Sequence, residues 1–150
     1  MELKKIHTSE KFEFFSPSFD KELYVDFAGF SVPAGFPSPA DEYLEPKLNL
    51  NELLIKHPSA TFFVRVQGDS MTGAGIFNGD ILIVDRALEP KNGDIAVCVI
   101  DGEFTVKRLE IINDELYLAP ENGQYKPIKV SEFQDFRVWG IVTYVIHKPQ

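Results

Sequence analysis

A serine hydroxyl is a weak nucleophile until a neighbouring base takes its proton, so this sequence first poses the question of which serine and which base it could bring together. Ser70 stands in Gly68-Asp69-Ser70-Met71, directly after Thr61 to Gln67, a run rich in strand formers. Glycine lets the backbone turn sharply and would leave the serine exposed at the bend. Where a helical turn begins there, backbone N–H groups point outward and can hold an oxyanion. Taken alone, the signal is weak, because a serine in a Gly-Asp-Ser turn is usually just a turn residue. The candidate base is Lys107, in Phe104-Thr105-Val106-Lys107-Arg108-Leu109. A lysine in a strand usually points to solvent. Turned inward, it meets apolar surroundings that disfavour its charged form, and a neutral amine can accept a serine proton.

Other chemistries find less support. His7, His57 and His147 lie in unrelated contexts, which speaks against a Ser-His-Asp triad and against a zinc site. No phosphate-binding glycine loop occurs, and no metal or cofactor is expected. Cys98, the only cysteine, sits in Val97-Cys98-Val99-Ile100 and reads as a buried thiol packing as a small hydrophobe.

The elements that must position these residues change character near residue 40. Residues 1–34 hold six of the 13 phenylalanines, together with Pro17 and Pro33; a disordered tail is normally poor in aromatics. An irregular arm docked on the body or on a second subunit is expected, the alternative being a strand-bearing part of the same domain. Further on, Asn49 could cap a short helix through Leu53, Leu54 and Ile55, ended by Pro58. Strands are expected at 61–67, 81–85, 94–100, 103–109, 115–119, 129–130 and 137–147, with Asp101-Gly102 as a hairpin turn. The last run is too apolar on both faces to be a solvated edge, and Val138, Trp139, Ile141 and Val142 suggest a self-complementary patch for a homodimer. The expected fold is mainly β, short strands in a sandwich or partly closed barrel.

The 150 residues suit one domain, and 44% hydrophobic with 25% charged residues is an ordinary globular balance. A net charge of −8 repels the phosphate backbone, so strong direct nucleic-acid binding is not expected. No apolar run is long enough to span a membrane, and no signal-peptide core follows the mixed-charge start Met1-Glu2-Leu3-Lys4-Lys5. A cytoplasmic protein is expected.

Two weak signals gain force together. Ser70 lies within V-Q-G-D-S-M-T-G-A-G-I-F-N-G-D-I-L-I-V-D and Lys107 within D-G-E-F-T-V-K-R-L. These strings closely resemble the peptidase domain of the LexA and UmuD family. Ala34-Gly35-Phe36-Pro37-Ser38-Pro39-Ala40-Asp41, Leu50-Asn51-Glu52-Leu53-Leu54-Ile55 and His57-Pro58-Ser59-Ala60-Thr61 resemble its UmuD branch. The resemblance covers residues 34–147, and the residues before Ala34 match no motif of the family.

The resemblance implies a mostly β domain with a serine–lysine dyad: Ser70 as nucleophile, Lys107 as base, and the backbone N–H groups of Asp69 and Ser70 as oxyanion hole. It implies self-cleavage between Ala34 and Gly35, dividing an arm, residues 1–34, from a peptidase and dimerisation domain, residues 35–150. Steric reasoning favours the same bond, since Ala and Gly let a chain enter a narrow cleft and Pro33 and Pro37 favour extended backbone; Ala28-Gly29 is the rival dipeptide. The family's UmuD branch implies DNA-damage (SOS) mutagenesis: cleavage promoted by a RecA filament on single-stranded DNA, then a homodimer joined to a UmuC-type Y-family polymerase for translesion synthesis. LexA-like transcriptional regulators carry a helix-turn-helix domain before the cut, and no such pattern is seen in the 34 residues here. The alternatives are a self-cleaving regulator and a peptidase-fold interaction module; a signal peptidase shares the dyad chemistry but needs a membrane anchor.

Overall fold

Alternation of side chains across a pleated strand sorts this chain onto two faces of one sheet. The computed structural model describes residues 2–8, 12–18, 24–28 and 44–150. In chain order the strands are β1 (Glu2–Thr8), β2 (Phe12–Ser18), β3 (Tyr24–Ala28), β4 (Leu44–Asn49), β5 (Thr61–Val66), β6 (Ile81–Asp85), β7 (Ile95–Ile100), β8 (Glu103–Ile112), β9 (Glu115–Ala119), β10 (Ile128–Lys129) and β11 (Phe136–Ile146). Nine form one sheet in the order β1-β2-β5-β6-β11-β7-β8-β9-β10, with antiparallel neighbours, while β3 and β4 pair separately. The mainly β expectation holds.

The helix α1 (Leu50–Leu54) starts where Asn49 accepts the Asn51 N–H, as an N-cap should. Among the described residues no helix is long and apolar enough to cross a membrane. The β7–β8 hairpin turns at Asp101-Gly102, both with positive φ, the geometry of a tight two-residue turn. Its second strand continues to Ile112, three residues beyond the expected Leu109.

The sheet curls without closing. Five inter-strand steps separate β2 from β8, which in a flat sheet is roughly 24 Å. Yet the rings of Phe14 on β2 and Phe104 on β8 are 4.6 Å apart, and Phe14 lies 5.0 Å from Trp139 on β11. Register shifts in β11 between Val138 and Gly140 and between Val142 and Tyr144 locally sharpen the twist. The main core fills the resulting hollow with Phe12, Phe14, Val64, Leu82, Val97 and Val106. The alternate positions Phe15, Phe63 and Ile83 pack on Ile55 on the other face, and Ala96, Cys98, Leu109, Leu118 and Ile141 form a third cluster.

One expectation needs correction. Residues 1–34 are not irregular throughout: β1 and β2 join the main sheet, and Phe12, Phe14 and Phe15 are buried. The alternation in Phe12-Glu13-Phe14-Phe15 puts two rings on one face and one on the other, which is enough to dock a strand although Pro17 stands near its end. The patch assigned to homodimer contacts is partly engaged within the chain, with Val138, Trp139 and Val142 left half-buried. β11 lies between β6 and β7, and Trp139 and Val142 pack on one core cluster while Val138 and Ile141 belong to another.

Two outcomes test this packing. Phe14→Ala should cost about 3–5 kcal/mol in urea unfolding, the usual range for an emptied phenylalanine site; a loss under about 1 kcal/mol would show that β2 is not docked in solution. Burial pushes the Cys98 thiol up to about 12, against a smaller opposing pull from the charge of Lys107. The thiol therefore stays protonated at about pH 8. A thiol-specific chromogenic reagent should react slowly with the native protein and stoichiometrically once it is unfolded; fast native labelling would contradict the assigned burial.

Candidate active site

Ser70 sits in the loop that leaves β5. Gly68 has φ +114°, a value that L side chains rarely adopt, and its N–H donates to Asn78 Oδ1 at 3.0 Å. The next two residues lead to Met71, which is buried with Ile76 in the main core. The loop is thus pinned on both sides of Ser70. The helical turn expected after it is a single 3-10 turn, Thr72–Ala74.

Lys107 lies on β8 opposite Ala96 of β7, and its side chain is half-buried. Residues two apart on a strand share a face, which puts Thr105 beside it. Lys107 Nζ donates to Thr105 Oγ1 at 2.9 Å, to the Val106 carbonyl at 3.1 Å and to Ser70 Oγ at 3.2 Å. The two residues singled out in the sequence are therefore in hydrogen-bond contact. They share a cleft of about 540 Å³ whose walls include Phe12, Val66, Phe104 and Ile128.

Among the described residues, no acceptor faces the N–H of Asp69 or of Ser70. Both residues line the cleft. Ala34 and Gly35 lie outside the described residues, as does Gly29 of the rival dipeptide. In sequence, Ala34-Gly35 falls between β3 and β4, which pair antiparallel.

His57 and His147 take other work. His57 Nδ1 meets Asp85 Oδ2 and His147 Nδ1 meets Asp80 Oδ1, each at 2.6 Å, and neither ring lines the cleft. Among the described residues, no group of three metal-ligating side chains occurs.

Sequence reasoning missed the segment that holds the serine loop from outside. Asn122 Nδ2 donates to the Asp69 carbonyl at 2.7 Å, and Tyr125 OH donates to Asp69 Oδ1 at 2.7 Å. That carboxylate raises the Tyr125 hydroxyl above its ordinary pKa, through the hydrogen bond first and its charge second. Gly73 donates its N–H to the Glu121 carbonyl, and a Cβ on Gly73 would lie 2.5 Å from that oxygen, so only glycine permits the approach. Glu121 in turn pairs with Arg108, the neighbour of Lys107. In sequence, Glu121-Asn122-Gly123 is a polar turn, and no spacing ties it to residue 69.

Comparison with known proteins gives the same direction as the motifs. The family model described as peptidase S24-like matches residues 24–143. Protein SamA of Salmonella typhimurium is 48% identical over 116 residues, 77% of this chain and 80% of that relative. Protein ImpA of Escherichia coli is 47% identical over 139 residues, 87% of this chain and 86% of the relative. A LexA repressor of Shewanella sp. (strain MR-7) is 40% identical over 116 residues, 77% of this chain and 56% of the repressor. The match spans the loop that carries Ser70 and the strand that carries Lys107, and with it the resemblance read from their motifs is borne out: the chain belongs to the peptidase S24-like family.

Proposed function

We propose that this chain is a self-cleaving serine peptidase with Ser70 as nucleophile and Lys107 as general base. The observation that carries the reading is the 3.2 Å contact between Lys107 Nζ and Ser70 Oγ inside the cleft. A neutral amine keeps two N–H groups and one lone pair. The Val106 carbonyl can only accept a hydrogen bond, and Thr105 Oγ1 is a second acceptor. Loss of the proton that Lys107 Nζ directs at Ser70 Oγ turns a lone pair towards that hydroxyl.

The reaction then follows in balanced steps. Ser70 Oγ attacks the Ala34 carbonyl carbon while its proton passes to Lys107 Nζ. The oxyanion is held by the Asp69 and Ser70 N–H groups. Collapse breaks the Ala34–Gly35 C–N bond, and the Lys107 ammonium protonates the departing Gly35 amine. Water then attacks the Ala34 ester on Ser70, giving one proton to Lys107, which returns it to Ser70 Oγ as the ester bond breaks.

We place this activity in the cytoplasmic response to DNA damage: a RecA filament on single-stranded DNA stimulates the cut, and residues 35–150 serve as a homodimer with a UmuC-type Y-family polymerase. The net charge of −8 supports action through protein partners rather than direct DNA contact. A transcriptional regulator is the second reading, favoured by the similarity to a LexA repressor. A gel-shift assay separates the two, because a regulator must retard DNA.

The test of the chemistry is self-cleavage of the purified chain. The first-order rate should rise from about pH 7 towards about pH 10, since raising the pH removes the proton that stops an amine from acting as base. Ser70→Ala and Lys107→Ala should each abolish it without loss of fold. Cleavage persisting in Ser70→Ala, or a rate that falls over this pH range, would overturn the dyad.

The cut fragment should not simply leave. It carries β2, with three buried phenylalanines, whose exposure would cost roughly 5–9 kcal/mol at about 1.5–3 kcal/mol each. Mass spectrometry should find a new N-terminus at Gly35, and residues 1–34 should co-elute with 35–150 in gel filtration until a competitor takes the β5 edge. A new terminus at Gly29 would refute the bond, and immediate separation of the fragments would refute the retention.

A further inference from the structure

An oxyanion hole made of backbone amides works only if the peptide planes that carry them are held in one orientation. The Ser70 N–H belongs to the same planar, trans peptide unit as the Asp69 carbonyl, and in such a unit N–H and C=O point in opposite directions. Whatever fixes the Asp69 carbonyl therefore aims the Ser70 N–H. In this structure the short contact to that carbonyl oxygen comes from Asn122 Nδ2 at 2.7 Å, with a longer one from the Thr72 N–H at 3.4 Å.

We propose that Asn122 is a positioning residue for the reaction, directing the Ser70 amide into the cleft through its hydrogen bond to the Asp69 carbonyl. The inference rests on the self-cleavage reading above and deepens it. Three observations support it independently of that bond. The Gln124 N–H donates to Asn122 Oδ1 at 3.0 Å. A backbone N–H can only donate, so this contact fixes the oxygen end of the amide and turns its NH₂ end towards Asp69. The Tyr125 N–H donates to the Asn122 carbonyl at 3.0 Å, closing the turn from which the side chain projects. Finally, Tyr125 OH on the Asp69 carboxylate and the Glu121 carbonyl on the Gly73 N–H bind the same two loops together on either side. The donor is thus built into a closed turn before any substrate arrives.

The experiment compares Asn122→Asp and Asn122→Ala with wild type. Asn122→Asp keeps an oxygen for the Gln124 N–H and nearly the same shape, but offers the Asp69 carbonyl an acceptor instead of a donor. The self-cleavage rate is measured across the pH range, with thermal melting as the control for folding. Loss of an oxyanion donor outright costs about 10²–10³-fold; misdirecting one should slow both variants by roughly 10-fold or more. The plateau of the pH profile should fall in both variants, while the midpoint stays at the wild-type value in Asn122→Ala, which adds no charge beside Lys107. Labelling of Ser70 by a small fluorophosphonate, whose phosphoryl oxygen needs the same amides, should fall in parallel. Asn122→Asp cleaving within about twofold of wild type, or a displaced midpoint in Asn122→Ala, would overturn the positioning role alone. Cleavage that survives Ser70→Ala would instead overturn the reading on which it rests. Should Asn122→Ala melt early, Asn122→Asp, which retains the turn, decides the matter.

Discussion

A lysine can serve as a base towards serine only if its lone pair, and not one of its N–H groups, faces the hydroxyl. Proximity does not ensure this, because an ammonium donates in three directions. Here one strand supplies two acceptors for the amine: Thr105 shares the face of Lys107, and the Val106 carbonyl lies at the base of its side chain. Ser70 is 37 residues away in sequence, so the other half of the contact depends on the sheet bringing the β5 exit against β8. The curl of the sheet over Phe14, Phe104 and Trp139 accompanies that approach. Those rings form the packing on which the arrangement rests.

The same curl gives the N-terminal strands a structural role that sets them apart from a loosely attached arm. Phe12 both fills the core and lines the cleft. Glu13, between the buried rings, is held below the ordinary carboxylate range, first by its hydrogen bond from Lys5 of β1. The β5 edge, which would otherwise present unpaired backbone groups, is covered by β2. On the self-cleavage reading, the chain cuts a segment that belongs to its own sheet, so breaking the peptide bond and exposing the covered edge are separate events.

Much of this was legible in the sequence, and the parts that were not have a common cause. The turn at Asp101-Gly102, the cap at Asn49 and the β6 and β9 spans are set by local chemistry and were readable there. The pairing of Ser70 with Lys107 was legible only because both motifs resemble one family; no spacing rule joins them. β2 was read as irregular because its alternation covers four residues beside a proline, too short a run to outweigh the composition around it. The apolar faces of β11 suit an inner strand, and neighbouring strands and core cover part of them. Asn122 and Tyr125 gave no signal because their role depends on a tertiary meeting more than 50 residues away.

Both halves of the site refer back to one strand. Lys107 is on β8 itself. The Ser70 loop is tied to residues 121–125, which follow β9, the strand paired with β8. Arg108 strengthens the link by pairing with Glu121 while donating to the Gly93 carbonyl at 2.7 Å. With a common reference, amine, hydroxyl and amides can hold their spacing whether or not a scissile bond is present. On this reading a partner need not assemble the dyad, because the dyad is already in contact. What remains to be controlled is delivery of Ala34-Gly35, joined to β3 and β4 on either side, into a cleft whose wall includes a residue of the fragment to be cut, Phe12.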